Sequence, residues 1–346
     1  MLRVLQLGDM LCAIPALRAL RRGAPRAHIT LIGMPWANIL AERFHRYIDD
    51  FMSFPGYPGF PEQEPDIAAL PRFLSEAQDR RFDLAIQMHG SGPLANPLTV
   101  MLGAARCAGY FVAGQYCPDA QLFLPWRESE PEVLRWIRLV TALGAAADGL
   151  HLEFPLSGAD FRRLQQCRES LPAARTYACI HPGARLSSRR WPTARFAYVA
   201  DGLAEEGLQI VLTGTAEEAA LTAEVAHHMH ASAWDLAGRT DLGSLAALVA
   251  GARLVISNDT GISHIAAAMK TPSVVVSCGS DPERWAPGDA LRHRVIFEPV
   301  SCRPCMHVHC PLGHPCALGI SPERVLSQAR ALNAEVQQQS AISVPL

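Results

Sequence analysis

Short apolar runs alternate with amphipathic stretches along almost the whole of this 346-residue chain. Each run is long enough for a buried strand and each stretch for a helix, which is the pattern of parallel sheets covered by helices. The predicted strands are residues 4–7, 29–32, 84–86, 177–180, 209–212, 254–257 and 274–277. The predicted helices are residues 10–22, 193–206, 217–230, 242–250, 262–269 and 322–336. The sequence therefore predicts an α/β fold.

The strand–helix rhythm occurs twice, and the chain is long enough for two domains that each have a core. A polar stretch with proline and glycine on both sides separates the two series. The predicted parts are an N-terminal domain over residues 1–165, a C-terminal domain over 166–336 and a tail over 337–346. Doubly wound domains of this kind bind ligands at the carboxyl ends of their strands. The proline- and glycine-rich residues 54–62 are predicted to form a surface insertion.

Composition excludes several classes of protein. The chain is 49% hydrophobic and 18% charged, as folded globular proteins are, and its net charge of -2 gives no electrostatic basis for binding nucleic acid. The N-terminus lacks a signal-peptide pattern and no long apolar segment occurs, so we expect a cytoplasmic protein. Lys270 is the single lysine, so a phosphate site here would be built from arginine, histidine or backbone amides.

The first motif that could carry chemistry is Gly8-Asp9, between the first predicted strand and the first predicted helix. Glycine permits a sharp turn there, and an aspartate at a helix start can cap free backbone amides. The same carboxylate could instead point into a ligand site and take a proton from an acceptor hydroxyl.

The second motif is the loop of residues 181–192, HPGARLSSRRWP, after the strand predicted at 177–180. It begins with His181, and its small residues Gly183 and Ala184 let a ligand approach the backbone. The three arginines of the loop are Arg185, Arg189 and Arg190. They precede a helix start, where free amides favour anions, so the loop is either a phosphate site or a solvated basic surface.

The third motif is SNDTGISH, residues 257–264, at another predicted strand-to-helix turn. Asp259, Thr260 and Gly261 lie where phosphate and ribose contacts are expected in doubly wound domains. His264 falls in the first helical turn and could donate to a phosphate. Seven polar or small residues in eight make this the most specific of the three motifs.

Two further groups are less specific. His89, Ser91 and Asn96 follow the strand predicted at 84–86 and could bind sugar hydroxyls, although turn chemistry explains the neighbouring glycines equally well. The Cys-rich segment, residues 302–316, contains four cysteines, which are Cys302, Cys305, Cys310 and Cys316. They are suitable ligands for a tetrahedral metal site, and the alternative is a reduced, packed loop without metal.

The motifs occur in one order: Gly8-Asp9 before PALRALRR, the HPG loop ending in RWP, and DTG-x-SH. Together they resemble glycosyltransferase family 9, the heptosyltransferases of lipopolysaccharide core assembly. The likeness covers nearly the whole chain and includes residues 235–261, DLAGRTDLGSLAALVAGARLVISNDTG, and the later GSDPERW.

The resemblance implies a GT-B fold, in which two Rossmann-like domains face a central cleft. It implies an inverting transfer that needs no catalytic cofactor, with ADP-heptose or a similar nucleotide sugar in the C-terminal domain. The acceptor would be a glycan, glycolipid or protein bound by the N-terminal domain, and peripheral contact with the inner membrane face would follow from such an acceptor. In the resembling autotransporter heptosyltransferases four cysteines hold an iron ion, so structural iron or zinc is compatible with the Cys-rich segment.

The resemblance also implies roles for individual residues. Asp9 maps onto the catalytic base, and Arg189, with Arg190 beside it, onto the basic residue that stabilises the diphosphate. Thr240 falls where the family's loop passes the adenine. The DTG-x-SH residues, Asp259, Thr260, Gly261 and His264, map onto sugar and phosphate contacts.

The chain departs from the family's usual pattern at three places. Arginine stands at the phosphate position that is usually lysine, and Gly183 and Ala184 replace hydroxyl residues. The first strand is short, which is also compatible with a true first strand that starts upstream of Met1. Transfer of another nucleotide-activated sugar, or binding of a sugar nucleotide without catalysis, remain alternatives.

Overall fold

The computed structural model describes residues 1–167 and 171–342, with side chains up to residue 338. They form two compact units, Met1–Leu150 and His151–Leu346. The sequence predicted the domain boundary at 165/166, which is 15 residues after the division between these units and lies within a helix. The assignment of acceptor and donor binding to the two domains stays a prediction. Of the predicted tail, residues 337–342 belong to the last helix, and 343–346 lie outside the described residues.

The first unit has a parallel sheet with helices between its strands. Its strands are β1 (Thr30–Gly33), β2 (Asp50–Ser53), β3 (Leu84–Ile86), β4 (Arg106–Phe111) and β5 (Phe123–Pro125). Its helices are α1 (Leu7–Gly23), α2 (Asn38–Arg43), α3 (Leu70–Asp79), α4 (Ala95–Met101) and α5 (Glu132–Ala142). Leu2 bridges in parallel to Ile32 and to Gln87, so residues 1–3 join the pair β1–β2 to the sheet β3–β4–β5. The resulting order is β2, β1, residues 1–3, β3, β4, β5.

The strand predicted at residues 4–7 is wrong. The extended pairing lies upstream, where the amide of Leu2 donates to Ile86 O (2.9 Å) and that of Arg3 to Ile32 O (2.9 Å). Helix α1 begins at Leu7, three residues before the predicted start. An aspartate in the first turn, Asp9, favours that earlier start because its charge opposes the helix dipole.

The second unit contains a six-stranded parallel sheet in the order β11, β10, β9, β6, β7, β8. Its strands are β6 (Tyr177–His181), β7 (Gln209–Leu212), β8 (Ala233–Asp235), β9 (Leu254–Asn258), β10 (Ser273–Val276) and β11 (His293–Ile296). Its helices are α6 (Gly158–Cys167), α7 (Thr193–Ala204), α8 (Ala219–His228), α9 (Leu242–Gly251), α10 (Gly261–Ala268), α11 (Pro282–Trp285), α12 (Pro315–Leu318) and α13 (Pro322–Ile342).

The strand predictions of the second unit are confirmed to within one residue at each end, since β6, β7, β9 and β10 all occur where they were expected. These strands are covered on both faces, so every residue in them except Gln209 is buried and most are apolar. The chain order reverses between β6 and β9, which is the switch point where doubly wound sheets bind ligands.

The insertion predicted at residues 54–62 is not purely a surface feature. Phe54 and Phe60 are 1% and 7% exposed, and their ring centroids lie 5.9 Å apart in the core of the first unit. Packing by its own aromatic side chains therefore anchors the loop. Among the described residues, no helix is long and apolar enough to cross a membrane.

Candidate functional site

The loops after β6 and β9 leave the sheet side by side. His181 pairs with Ser257 in the register of β6 and β9, so the two loops that follow these strands begin at the same edge of the sheet. Asn258, fully buried, joins them: its Nδ2 donates to Pro182 O (2.7 Å), and its Oδ1 accepts from the amide of Trp191 (3.0 Å). The sequence motif contained Asn258, but its role became visible only with its partners in place.

The three arginines of the HPG loop have different surroundings. Arg190 Nε donates to Ala184 O (2.8 Å) and closes the loop on itself. Arg189 Nη2 donates to Cys305 O (3.2 Å), and its Nε is buried without a hydrogen-bond partner among the described atoms. Arg185 is exposed. Of the three arginines, Arg189 therefore has the buried donor that is best suited to bind an anion.

Glu218 is a residue that the sequence analysis missed. Its Oε2 lies 3.9 Å from His181 Nε2, and burial lowers the pKa of that histidine. A Cβ atom on Gly183 would lie 2.1 Å from Glu218 Oε1, so a larger residue at position 183 would displace this carboxylate. Rossmann-type domains place an acidic residue after the second strand to bind the ribose, which is where Glu218 lies. The capping box Thr215–Glu218 was the local signal that could have located it.

The DTG turn forms the start of α10. Thr260 is the N-cap, and its Oγ1 is buried without a hydrogen-bond partner among the described atoms. Asp259 Oδ2 accepts from Ser280 Oγ (2.5 Å), and His264 is 4% exposed with its ring 6.4 Å from that of Trp285. Free amides at a helix start, with a hydroxyl beside them, suit an anionic ligand. Thr240 is half-buried in the loop before α9, and its predicted adenine contact stays a prediction.

In the first unit, Asp9 is half-buried in the first turn of α1 rather than at a strand end. Arg3, 1% exposed, holds this turn in place. Its Nε donates to Asp9 O (3.1 Å), its Nη1 donates to Met88 O (2.6 Å), and Glu132 Oε1 lies 3.5 Å from its Nη2. The buried guanidinium therefore fixes the backbone at Asp9 relative to the segment that follows β3.

The residues predicted to bind an acceptor fall into two environments. The His89 ring stacks on Phe60 (centroids 4.3 Å apart, planes 7° apart), with Nε2 3.8 Å from Glu62 Oε2. Burial, with the positive charge of Arg3, lowers the pKa of His89 to about 4. Ser91 is half-buried, whereas Asn96 is 1% exposed and donates to Tyr110 O (3.0 Å). The insertion loop and His89 therefore form one surface, and Asn96 supports the backbone behind it.

The four cysteines of the Cys-rich segment do not come together as a metal-ligand set. Cys305 and Cys316 are buried, and Cys302 and Cys310 are half-buried. Within residues 1–167 and 171–342, no group of three or more His, Cys, Asp or Glu side chains is arranged to hold a metal ion. The segment is hydrogen-bonded to the HPG loop instead, where the amide of Ser188 donates to Val308 O, and the predicted tetrathiolate site stays a prediction.

Comparison with known proteins gives a consistent result. The model of glycosyltransferase family 9 (heptosyltransferase) matches residues 71–315. Lipopolysaccharide heptosyltransferase 2 of Escherichia coli (strain K12) is 26% identical over 338 residues, which are 94% of this chain and 95% of that protein.

Two crystal structures share the fold. The glycosyl transferase family 9 protein of Veillonella parvula DSM 2008 superposes with a TM-score of 0.76 at 21% identity, over 96% of each chain. The ADP-heptose lipopolysaccharide heptosyltransferase II of E. coli superposes with a TM-score of 0.74 at 23% identity, over 97% of this chain and 98% of that one. The architecture is thus that of the GT-B heptosyltransferases.

Proposed function

Because the chain belongs to glycosyltransferase family 9, we propose that it transfers a heptose from ADP-heptose to an acceptor hydroxyl. The acceptor class in this proposal is a lipopolysaccharide core or a related glycan, glycolipid or protein. The observation that carries it is the pairing of the HPG loop with the DTG turn at the switch point of the second unit. The proposal includes the cytoplasmic location and the peripheral contact with the inner membrane face that the resemblance implies.

In this proposal the second unit binds the sugar nucleotide. Arg189, His264 and the amides of Thr260 and Gly261 hold the diphosphate and stabilise the negative charge that builds on departing ADP. The buried Nε of Arg189 and Oγ1 of Thr260, which have no partner among the described atoms, are donors suited to phosphate oxygens. The amides of Gly183 and Ala184 approach the phosphates, the Glu218 carboxylate accepts from ribose hydroxyls, and Thr240 passes the adenine.

The remaining roles concern the sugars. The Asp9 carboxylate takes the proton of the acceptor hydroxyl as it attacks the anomeric carbon, and ADP leaves with the electrons of the broken C–O bond. Asp259, which is negative, cannot stabilise the leaving group and therefore binds hydroxyls of the donor sugar. His89 and Ser91 contact the acceptor, with Asn96 behind them, and the stack of His89 on Phe60 offers sugar a flat apolar wall.

The test is donor identity. We would measure turnover and calorimetric binding with ADP-heptose, ADP-glucose, UDP-glucose and GDP-mannose against a heptose-accepting core oligosaccharide. Turnover with ADP-heptose alone supports the proposal. Turnover with a different nucleotide sugar assigns the chain to the alternative, transfer of that sugar. Tight binding without turnover on any acceptor indicates a sugar-nucleotide-binding protein.

We further propose that the Cys-rich segment binds one structural iron or zinc ion per chain through Cys302, Cys305, Cys310 and Cys316. The four cysteines lie within fifteen residues of sequence, and thiolate ligands suit either metal. Elemental analysis of untagged protein, compared with a Cys302→Ser/Cys305→Ser variant, tests this. Less than about a tenth of an equivalent in the unmodified protein contradicts it.

A further inference from the structure

Residues 303–314, which we name the strap, lie against the HPG loop although they follow it by more than a hundred positions. The amide of Ser188 donates to Val308 O (3.0 Å), and its Oγ donates to His307 O (2.5 Å). His314 Nε2 lies 2.7 Å from Ser188 O, so Ser188 is bonded to the strap through three of its polar atoms. Arg189 is held by the strap as well, through the Cys305 carbonyl.

The strap is also in close contact with the turn after β10. The amide of Cys305 donates to Gly279 O (2.7 Å), and a Cβ atom on Gly279 would lie 3.2 Å from the Cys305 Cβ and 4.0 Å from Ser188 O. Gly279 has φ +79°, a conformation that favours glycine. The HPG loop, the turn after β10 and the strap therefore meet at one tightly packed point.

A second connection runs from the strap to the DTG turn through hydroxyl groups. Arg303 Nη1 donates to Ser277 Oγ (3.0 Å), which lies 2.8 Å from Ser280 Oγ, which donates to Asp259 Oδ2 (2.5 Å). Because a guanidinium only donates and a carboxylate only accepts, the direction is fixed: Ser277 donates to Ser280, and Ser280 to Asp259. Ser277 and Ser280 are 0% and 1% exposed. Bonds in such a buried chain polarise and strengthen one another.

Arg303 is itself held in several directions. Its Nε donates to Glu298 O (3.0 Å), and its Nη atoms donate to the carbonyls of Ser277 and Ser280. The guanidinium thus ties together the backbone on both sides of Gly279 and the hydroxyl chain that ends on Asp259. Its contacts with Ser277 and Ser280 stabilise one geometry of the turn after β10, and that turn sets the position of the Asp259 carboxylate.

We propose that the strap is part of the donor site and that Arg303 is a positioning residue, which orients the Asp259 carboxylate through Ser277 and Ser280. This inference rests on the proposed function, in which Asp259 contacts the donor sugar. A small misplacement of a group that orients a substrate lowers the rate substantially, because the reacting atoms lose their alignment. Arg303 should therefore affect the use of the sugar nucleotide more than the binding of ADP.

The test compares Arg303→Met, Ser280→Ala and the matched control Arg294→Met. Arg294 is a half-buried arginine of the same unit that donates to Gln328 (3.1 Å) and Glu335 (2.7 Å), and among the described residues it makes no hydrogen bond to either donor loop. Each substitution is made in the native chain and in Asp259→Asn. For every variant we would measure kcat and KM for ADP-heptose, calorimetric affinity for ADP and for ADP-heptose, and the thermal midpoint.

Arg303→Met and Ser280→Ala should each lower kcat/KM for ADP-heptose about tenfold, the usual effect of losing one hydrogen bond to a charged group. Their affinity for ADP should stay within about twofold, and neither should have a further effect in Asp259→Asn, since residues of one network are not additive. Ser280 lies outside the Cys-rich segment, so Ser280→Ala decides the matter if Arg303→Met does not fold.

The inference is overturned if Ser280→Ala behaves like Arg294→Met, or if the losses add in full to that of Asp259→Asn. Equal losses for ADP and ADP-heptose also overturn it, because they indicate general disruption of the unit. Failure of the proposed function looks different: the native chain itself, before any substitution, would then not turn over ADP-heptose, and the inference would fall with it.

Discussion

The two units share one strand order but present different chemistry at the carboxyl ends of their strands. In each, the first extended segment lies between the second and the fourth, as residues 1–3 lie between β1 and β3, and β6 lies between β7 and β9. In the first unit a buried arginine, Arg3, donates to the backbone carbonyls of Asp9 and Met88. In the second unit the loops after β6 and β9 are joined by a neutral amide, that of Asn258, and the Asp259 carboxylate accepts from the hydroxyl of Ser280.

This difference indicates that the shared topology fixes where a ligand can bind, whereas the loops determine which charged and polar groups surround that position. Arg3 is paired within its own unit, since Glu132 lies beside it and backbone carbonyls accept its hydrogen bonds. Arg189, by contrast, keeps one buried donor without a partner among the described atoms. In the proposed function, the first unit accordingly supplies the carboxylate for proton transfer, and the second unit supplies the donors for the diphosphate.

The largest expected effect is that of Asp9→Asn, which should lower kcat by roughly 10²–10⁴, the usual contribution of a general base. Affinity for ADP should stay within a few-fold, because the variant leaves the second unit intact. Turnover assays measure kcat, and calorimetry measures the affinity for ADP. The control is Asp79→Asn, which removes an exposed carboxylate at the end of α3. Retention of half the activity would show that Asp9 only stabilises the start of α1.

Arg189→Ala should weaken ADP binding by about 1.5–3 kcal/mol, the contribution of a charge-assisted contact. Adenosine, which lacks phosphate, should bind as before. The control is Arg330→Ala, an exposed arginine of the same unit whose Nε donates to Glu206 (2.6 Å). If ADP and adenosine lose affinity equally, the phosphate contact lies elsewhere.

His89 allows the first unit to be probed by pH. Its pKa is lowered from about 6.5 to about 4, so at pH 5 it is neutral in the folded chain and protonated in the unfolded chain. Proton binding to the unfolded chain therefore lowers the free energy of unfolding by on the order of 1–2 kcal/mol as the pH falls from 7 to 5. Urea unfolding of the native chain and of His89→Gln at both pH values measures it. The variant should lose less stability on acidification, and identical losses would contradict the assignment.

The smallest effect is expected from Glu218→Gln, which keeps the shape and one acceptor oxygen but removes the charge. ADP affinity should fall by about 0.5–1.5 kcal/mol, and the loss should vanish with 2′,3′-dideoxy-ADP, which has no ribose hydroxyls to bind. Glu217→Gln, the exposed neighbour, serves as the control. An equal loss with both nucleotides would place Glu218 away from the ribose.

The sequence predicted the central elements well because buried parallel strands are continuous apolar runs, as β7 and β9 are. It missed β2, β5, β8 and β11, in which no more than two aliphatic or aromatic residues are consecutive, and β4, whose apolar residues are interrupted by Gly109. It also placed the first strand too late, because residues 4–7 resemble a strand in composition alone. Periodicity cannot report that the pairing with β1 is made by Met1 and Arg3.

Some residues of the candidate site were likewise predicted from the sequence, and others were missed. Residues within one motif, such as Asp259 and Thr260, were found because their neighbours in sequence are also their neighbours in space. Glu218 and Ser280 were missed because the groups they contact, Gly183 and Asp259, lie 21 or more positions away. A single sequence contains no record of such distant contacts, so the structure was needed to connect them.

The strap described above has a consequence for the order in which the protein matures. Domains fold as the ribosome releases them, starting from the N-terminus. Ser188 leaves the ribosome long before His307 and Val308, yet among the described residues its hydroxyl and amide donate to the carbonyls of those two residues. The loop after β6 therefore gains these hydrogen bonds only when nearly the whole polypeptide has been synthesised. A nascent chain that ends before residue 303 would have its central sheet, but its loop after β6 would lack the strap that holds it.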